Sequence, residues 1–357
     1  MSADAGKDIH IRVDGRAGRM TLNRPHALNA LTYQQVKSIS AALHTWRTEP
    51  SVELVILDGA GDRALCAGGD VRALYDQRET DPGLAARFWA DEYRLNAMIA
   101  SYPKPYVALM DGIVMGGGIG LSAHGSHRIV TERSRLAMPE TTIGLIPDVG
   151  GTWLLSRTPG RMGEYLSVTG VTFGASDALY LGFADTHVSS DTLPALVSKL
   201  TQPGGDPVSA AVAEHASAPE AAKHATRQTD VDRLFAGPDV ETILDSLTLD
   251  HEVPWAAEVA DLLRTKSPLS LKLTLHAVRS ARQMSSLTEA LVEEYRLTTR
   301  LFQHGEFLEG VRALLVDKDK SPNWPSGDLS AISAEQVAAF FEPIPDGGDL
   351  TIPAANA

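Results

Sequence analysis

The chain has 357 residues, 43% of them hydrophobic, and a formal net charge of −13 at pH 7. That is enough apolar material for one large core or two smaller ones, and too acidic a balance for nucleic acid to be the main partner. Cys66 is the only cysteine, which excludes an intrachain disulfide, reads as a buried inert thiol and suggests a reducing compartment.

The opening MSADAGKDIHIRVDG has neither an apolar h-region nor the Arg/Ser-rich character of a transit peptide, so a cytoplasmic location is expected. IHIRVDGRAGRMTLN alternates apolar and polar residues on both sides of a Gly-containing turn and predicts a β-hairpin. Over residues 32–46 the spacing becomes helical, with Val36, Ile39, Leu43 and Trp46 on one face. VELVILDG predicts a buried strand, residues 82–99 a second helix, and YVALMDG another strand, before a Gly-rich turn and a short helix. The most apolar run, residues 106–123, is broken by Asp111 and several glycines, so no membrane partner is expected. Strands alternating with helices predict an α/β class with a largely parallel sheet.

After about residue 200 the composition shifts. TQPGGDPVSAAVAEHASAPEAAKHA is rich in Ala, Pro, Gly and Ser and predicts a linker or loosely packed helices. Residues 231–311 are mostly helical in pattern, and the Pro- and Gly-rich tail from Pro322 on is expected to be partly frayed. This divides the chain into residues 1–200 and a helical region, 201–357. No internal repeat is strong enough to suggest a solenoid.

Two Gly-bearing turns each follow a strand and precede a helix. MDGIVMGGGIGLSAHG carries Gly116, Gly117 and Gly118 at a helix N-terminus, where bare N–H groups favour negative charge; the structural alternative is a tight turn packed on a neighbouring strand. RALCAGGDVRAL carries Gly68 and Gly69. If the turns converge, two backbone N–H groups can meet one carbonyl oxygen, an oxyanion hole of the kind acyl chemistry requires. Neither turn is a dinucleotide fingerprint or a P-loop. GLSAHG nearly matches the nucleophile elbow G-x-S-x-G, but His124 replaces the second Gly. His124 and His127 have no acidic or cysteine cluster beside them and read as structural, so no metal is expected.

Two acids stand out in MPETTIGLIPDVGG, Glu140 and Asp148, separated only by uncharged residues. PDVGG has the form of a helix start with Asp148 as its N-cap. Glu140, between LAMP and TTIGLI, has no cap to serve. A carboxylate in apolar surroundings gains proton affinity and becomes useful as an acid or base near neutral pH.

TLNRPHALNALT, ALCAGGDVRAL, KPYVALMDGIVMGGGIGLSAHG and MPETTIGLIPDVGGTWLL together resemble the crotonase (enoyl-CoA hydratase/isomerase) superfamily, in order and spacing, over residues 21–188. The resemblance implies a crotonase-like spiral of ββα units holding the CoA thioester site in residues 1–200, followed by a helical C-terminal region. It implies that the thioester carbonyl lies between N–H groups at Gly69 and Gly117. Hydratases of the superfamily use two glutamates. The position of the first is Gly120 here, so only Glu140 remains, and water addition to a double bond is not expected.

A Glu in PE with an Asp in PDVGG resembles the 3-hydroxyisobutyryl-CoA hydrolase branch. FWADEYRLN supplies Glu92, matching a substrate-contacting glutamate. LVEEYRLTTRLFQHGEFLEGVRALLVDKDKSPNWP resembles the branch's C-terminal signature through Glu309, Gly310, Arg312, Asp317, Lys318 and Trp324. The resemblance implies thioester hydrolysis by Glu140, as nucleophile or general base, and Asp148, which orients water or protonates the leaving thiolate. Glu92 would bind the substrate hydroxyl or support Asp148. Ala27, Leu28, Ala67, Gly68, Asp70 and Gly116 complete the implied substrate-binding set. His26 stands where Lys is frequent, and Lys318 is a phosphate candidate by position alone. Coenzyme A enters as part of the substrate and no separate cofactor is implied. Related hydratases form trimers and hexamers, so homo-oligomerisation is a candidate property. Alternatives are an enoyl-CoA hydratase or dienoyl-CoA isomerase of the same superfamily, and a non-catalytic CoA-binding protein.

Overall fold

The structure, a computed structural model, describes residues 5–353. The predicted hairpin is present: β1 (Ile9–Asp14) pairs antiparallel with β2 (Ala17–Leu22). Helix Tyr33–Thr48 follows, started by a capping box between Thr32 and Gln35 and burying Val36, Ile39, Leu43 and Trp46. From there the chain repeats one unit three times. A strand enters a six-stranded sheet, a second strand enters a three-stranded sheet, and a helical segment closes the turn. The units are β3 (Leu54–Gly59) with β4 (Ala64–Cys66), β5 (Tyr106–Met110) with β6 (Ile113–Met115), and β7 (His127–Val130) with β8 (Arg135–Ala137). With β9 (Thr186–His187), the sheets run β1-β2-β3-β5-β7-β9 and β4-β6-β8, every pairing after the hairpin being parallel.

LVIL in β3 and YVALM in β5 are fully buried because both sheet faces are covered. Val55 and Leu57 face the main core, whereas Leu54 and Ile56 face a smaller one. That smaller core is closed by helices Leu193–Thr201 and Val208–His215. The Ala-rich stretch after residue 200 therefore holds a sheet-covering helix, with Val208, Ala211 and Val212 buried.

The main core runs from Ile9 to Leu350, across residue 200. Fraying is not what the tail shows as far as residue 353. Helix Ala334–Phe341 has its own capping box from Ser333 and Gln336. Arg296 pairs with Asp349 at 2.6 Å, and Arg94 donates to the carbonyl of Thr351. Residues 354–357 lie outside the described residues. No helix among the described residues is long and apolar enough to cross a membrane.

Candidate active site

The three-stranded sheet positions the site. Gly69 follows β4, Gly117 follows β6, and Glu140 follows β8, so three successive units each present one residue at the end of adjacent parallel strands. A Cβ built on Gly117 would stand 3.3 Å from the N of Gly69, and one on Gly116 would stand 2.9 Å from Glu140 Oε1. The two turns and Glu140 thus meet at one place. Gly116 makes the close approach possible with φ 47°, where a side chain is strained.

The N–H groups are free to act. Leu31 bridges to the Gly69 strand end through the carbonyl of Gly68 and the N–H of Asp70, which turns the N–H of Gly69 the other way. Gly117 opens helix Gly117–Ser122, so its N–H belongs to the unpaired first turn. Among the described residues neither N–H has a backbone acceptor.

Helix Leu84–Ala100 adds Glu92, buried beneath these turns. Its Oε1 would lie 2.6 Å from a Cβ on Gly117. Gly120 explains the missing second glutamate: a Cβ there would meet Val149 Cβ at 2.7 Å and Asn96 Nδ2 at 2.8 Å. A side chain there would force Val149 and Asn96 to shift.

Asp148 is not the N-cap that PDVGG suggests. Helix Gly151–Ser156 starts after Val149 and Gly150, both in the left-handed region, and its N-cap is Gly150. Glu294, from helix Leu287–His304, caps the turn from a distance, accepting from the N–H groups of Gly150 (2.7 Å) and Thr152 (3.0 Å). The Asp148 side chain is thereby released toward the acids, where Tyr93 Oη donates to its Oδ2 at 2.7 Å.

Glu92, Glu140 and Asp148 are 2%, 5% and 5% exposed, which decides their electrostatics. Burial, reinforced by the Asp148 charge, raises the proton affinity of Glu140 and Glu92 well above the ordinary glutamate value. Burial also pushes Asp148 up to about 6, against the opposing pull of the Tyr93 hydrogen bond. Glu92 Oε1 and Glu140 Oε2 have no protein partner.

The Glu140 turn is buttressed by the C-terminal region. Gly310 packs so closely that its Cβ would stand 2.3 Å from the carbonyl carbon of Ile143, and Gly144 (φ 70°) lies against the carbonyl of Glu306. Arg312 holds Glu309, Asp317 and Asp319 together behind this contact. Lys318 is exposed in that acidic surrounding, at φ 59°.

Other sequence-derived candidates are spoken for inside the protein. Asp70 caps helix Val71–Asp76 and pairs with Arg24 at 2.9 Å. Ala27 closes a short turn, and Leu28 accepts from the N–H of Ala67 at 3.0 Å. Ser122 donates to Gly118 O within its helix, His124 contacts Val149 O, and His127 bridges Ser126 and Ser209. Cys66 is buried, its thiol pushed up to about 12 by desolvation. A surface cavity of about 830 Å³, bordered by Tyr165, Asp177 and His224, includes none of Glu92, Glu140 and Asp148.

Residues 17–341 match the family model described as enoyl-CoA hydratase/isomerase, and the chain belongs to that family. Its curated relatives include proteins named 3-hydroxyisobutyryl-CoA hydrolase, mitochondrial. That of Danio rerio is 39% identical, covering 99% of this chain and 94% of the relative. That of Homo sapiens is 37% identical over 95% and 89%. Among solved structures, one described as a carnitinyl-CoA dehydratase from Mycobacterium thermoresistibile superposes with a TM-score of 0.91, at 44% identity over 97% of this chain and 98% of that one. One described as an enoyl-CoA hydratase from Rhodobacter sphaeroides gives 0.90, also at 44%, over 97% and 100%. The expected cytoplasmic location is corrected by the curated relatives, which are mitochondrial by name.

Proposed function

We propose that this enzyme hydrolyses 3-hydroxyacyl-CoA thioesters, foremost 3-hydroxyisobutyryl-CoA to 3-hydroxyisobutyrate and CoA, a step of valine degradation. The curated relatives carry that activity in their names. The observation that carries the reading is two buried acids, Glu140 and Asp148, in a site where Gly120 stands at the position of a second glutamate.

In this reading the carbonyl oxygen sits between the N–H groups of Gly69 and Gly117, each donor worth roughly 10²–10³ in rate. Glu140 passes its proton to the Asp148 carboxylate as it attacks the carbonyl carbon, the C–S bond breaks, and Asp148 hands that proton to the departing CoA thiolate. Asp148, again a carboxylate, takes a proton from the water that opens the resulting anhydride and returns it to Glu140, regenerating both acids. Direct attack by water with Glu140 as base uses the same atoms. Glu92 meets the 3-hydroxyl of the acyl group. Ala27, Leu28, Ala67, Gly68 and Gly116 line the path of the CoA arm by backbone, whereas Asp70 serves the fold.

A dehydratase or hydratase reading follows from the descriptions of the two similar structures. It requires a second carboxylate at the Cα–Cβ bond, which Gly120 cannot supply. Glu140→Gln and Asp148→Asn should each lower kcat for thiol release by roughly 10³-fold or more, with KM nearly unchanged. Either variant turning over at the wild-type rate, with an unchanged circular-dichroism spectrum, removes that acid from the mechanism.

A further inference from the structure

Of the three buried acids, only Asp148 is met by a side-chain donor. Tyr93 is itself wholly buried, and its phenol has one proton to give. Two acceptors lie in reach: Asp148 Oδ2 at 2.7 Å and Thr298 Oγ1 at 3.3 Å. The shorter contact, to a group that can carry charge, takes the proton. Thr298 in turn donates toward its own helix, where the carbonyl of Glu294 lies 3.0 Å away.

Every other ionisable group facing Asp148 works differently. Glu92 on the tyrosine's own helix, and Glu140 on the turn after β8, each keep one oxygen without a protein partner. Glu294 spends both oxygens on Gly150 and Thr152. His124, behind Val149, is kept neutral by burial, with its proton affinity pushed down to about 4, and Arg128 beside it is paired with Asp185.

We infer that Tyr93 is a positioning residue that makes Asp148 the ionised member of the acid trio and leaves its second oxygen, Oδ1, to address the hydrolytic water. This rests on the hydrolase reading for its catalytic consequence, though not for the proton distribution itself. A hydrogen bond to the charged form of a carboxylate favours ionisation, and its loss is worth about one to two pH units.

The direct test is a ¹³C NMR titration of aspartate-labelled protein, with the Asp148 carboxyl assigned by its disappearance in Asp148→Asn. In Tyr93→Phe the Asp148 midpoint rises by about one to two pH units. The kcat for thiol release then falls far more at pH 6 than at pH 9, while KM holds. As a variant that keeps the fold's shape, 3-fluorotyrosine at position 93 offers a more acidic phenol, and it moves the midpoint the opposite way. An Asp148 midpoint that does not move in either protein overturns the assignment. Because the titration needs no substrate, a wild-type enzyme that releases no thiol counts against the hydrolase reading alone.

Discussion

Glu140 sits in its pocket at a cost, and the cost has a sign. Burial raises its proton affinity well above that of an ordinary glutamate, so the folded protein holds a proton there that the unfolded chain has already lost. Stability contributed by that proton is complete below the unfolded value and disappears as pH rises through the folded one. Removing the charge should therefore stabilise. Glu140→Gln is expected to melt roughly 2–4 °C above wild type at pH 8, with the gap closing toward pH 5. A pH-independent gap, or a less stable variant at pH 8, would mean that the carboxylate is not strained by its surroundings. At this scale the sequence was informative where a residue type was anomalous: an uncapped Glu among apolar neighbours, or Gly where a Glu was expected. It misled at Asp148, because PDVGG reads as a cap, and the actual cap, Glu294, is 146 residues further along the chain. Tyr93 and Glu294 occupy apolar-face positions of their helices, and a polar residue on such a face was the one signal that could have flagged them.

Each ββα unit delivers one residue to the site from the same structural position, and the helical C-terminal region then fixes the third delivery. Gly310 is the contact point, since it lets helix Glu306–Val311 touch the Glu140 turn backbone to backbone. A methyl group at Gly310 collides with main-chain atoms, which cannot rotate aside as a side chain can. Gly310→Ala should cost about 1–3 kcal/mol of stability and should lower kcat more than it raises KM, because it displaces Glu140 rather than the CoA arm. A variant with lower melting temperature but unaltered kcat would separate the buttress from catalysis. The hairpin, the first long helices and the buried strands were legible from their periods. The repeat was legible only through the resemblance, because the helices closing the units differ in length, from Leu84–Ala100 in the first to Gly117–Ser122 in the second. Equal structural units therefore leave no equal spacing in the sequence.

Over the whole molecule, one core joins the strand spiral to the tail, and the candidate site lies where they meet: turns from the spiral, the Glu294 cap and the Gly310 buttress from beyond residue 200. The tail was misread from composition, because Pro and Gly mark turns without saying whether a turn is docked; Arg296 and Arg94 dock this one. Two acids beside an oxyanion site should cleave a thioester and should not add water to a double bond. Incubating the wild-type enzyme in parallel with 3-hydroxyisobutyryl-CoA and with crotonyl-CoA, and following free thiol and enoyl absorbance together, tests it most directly. The expected result is rapid thiol release from the first and little loss of absorbance from the second. Rapid loss of crotonyl absorbance with negligible thiol release from 3-hydroxyisobutyryl-CoA would contradict it.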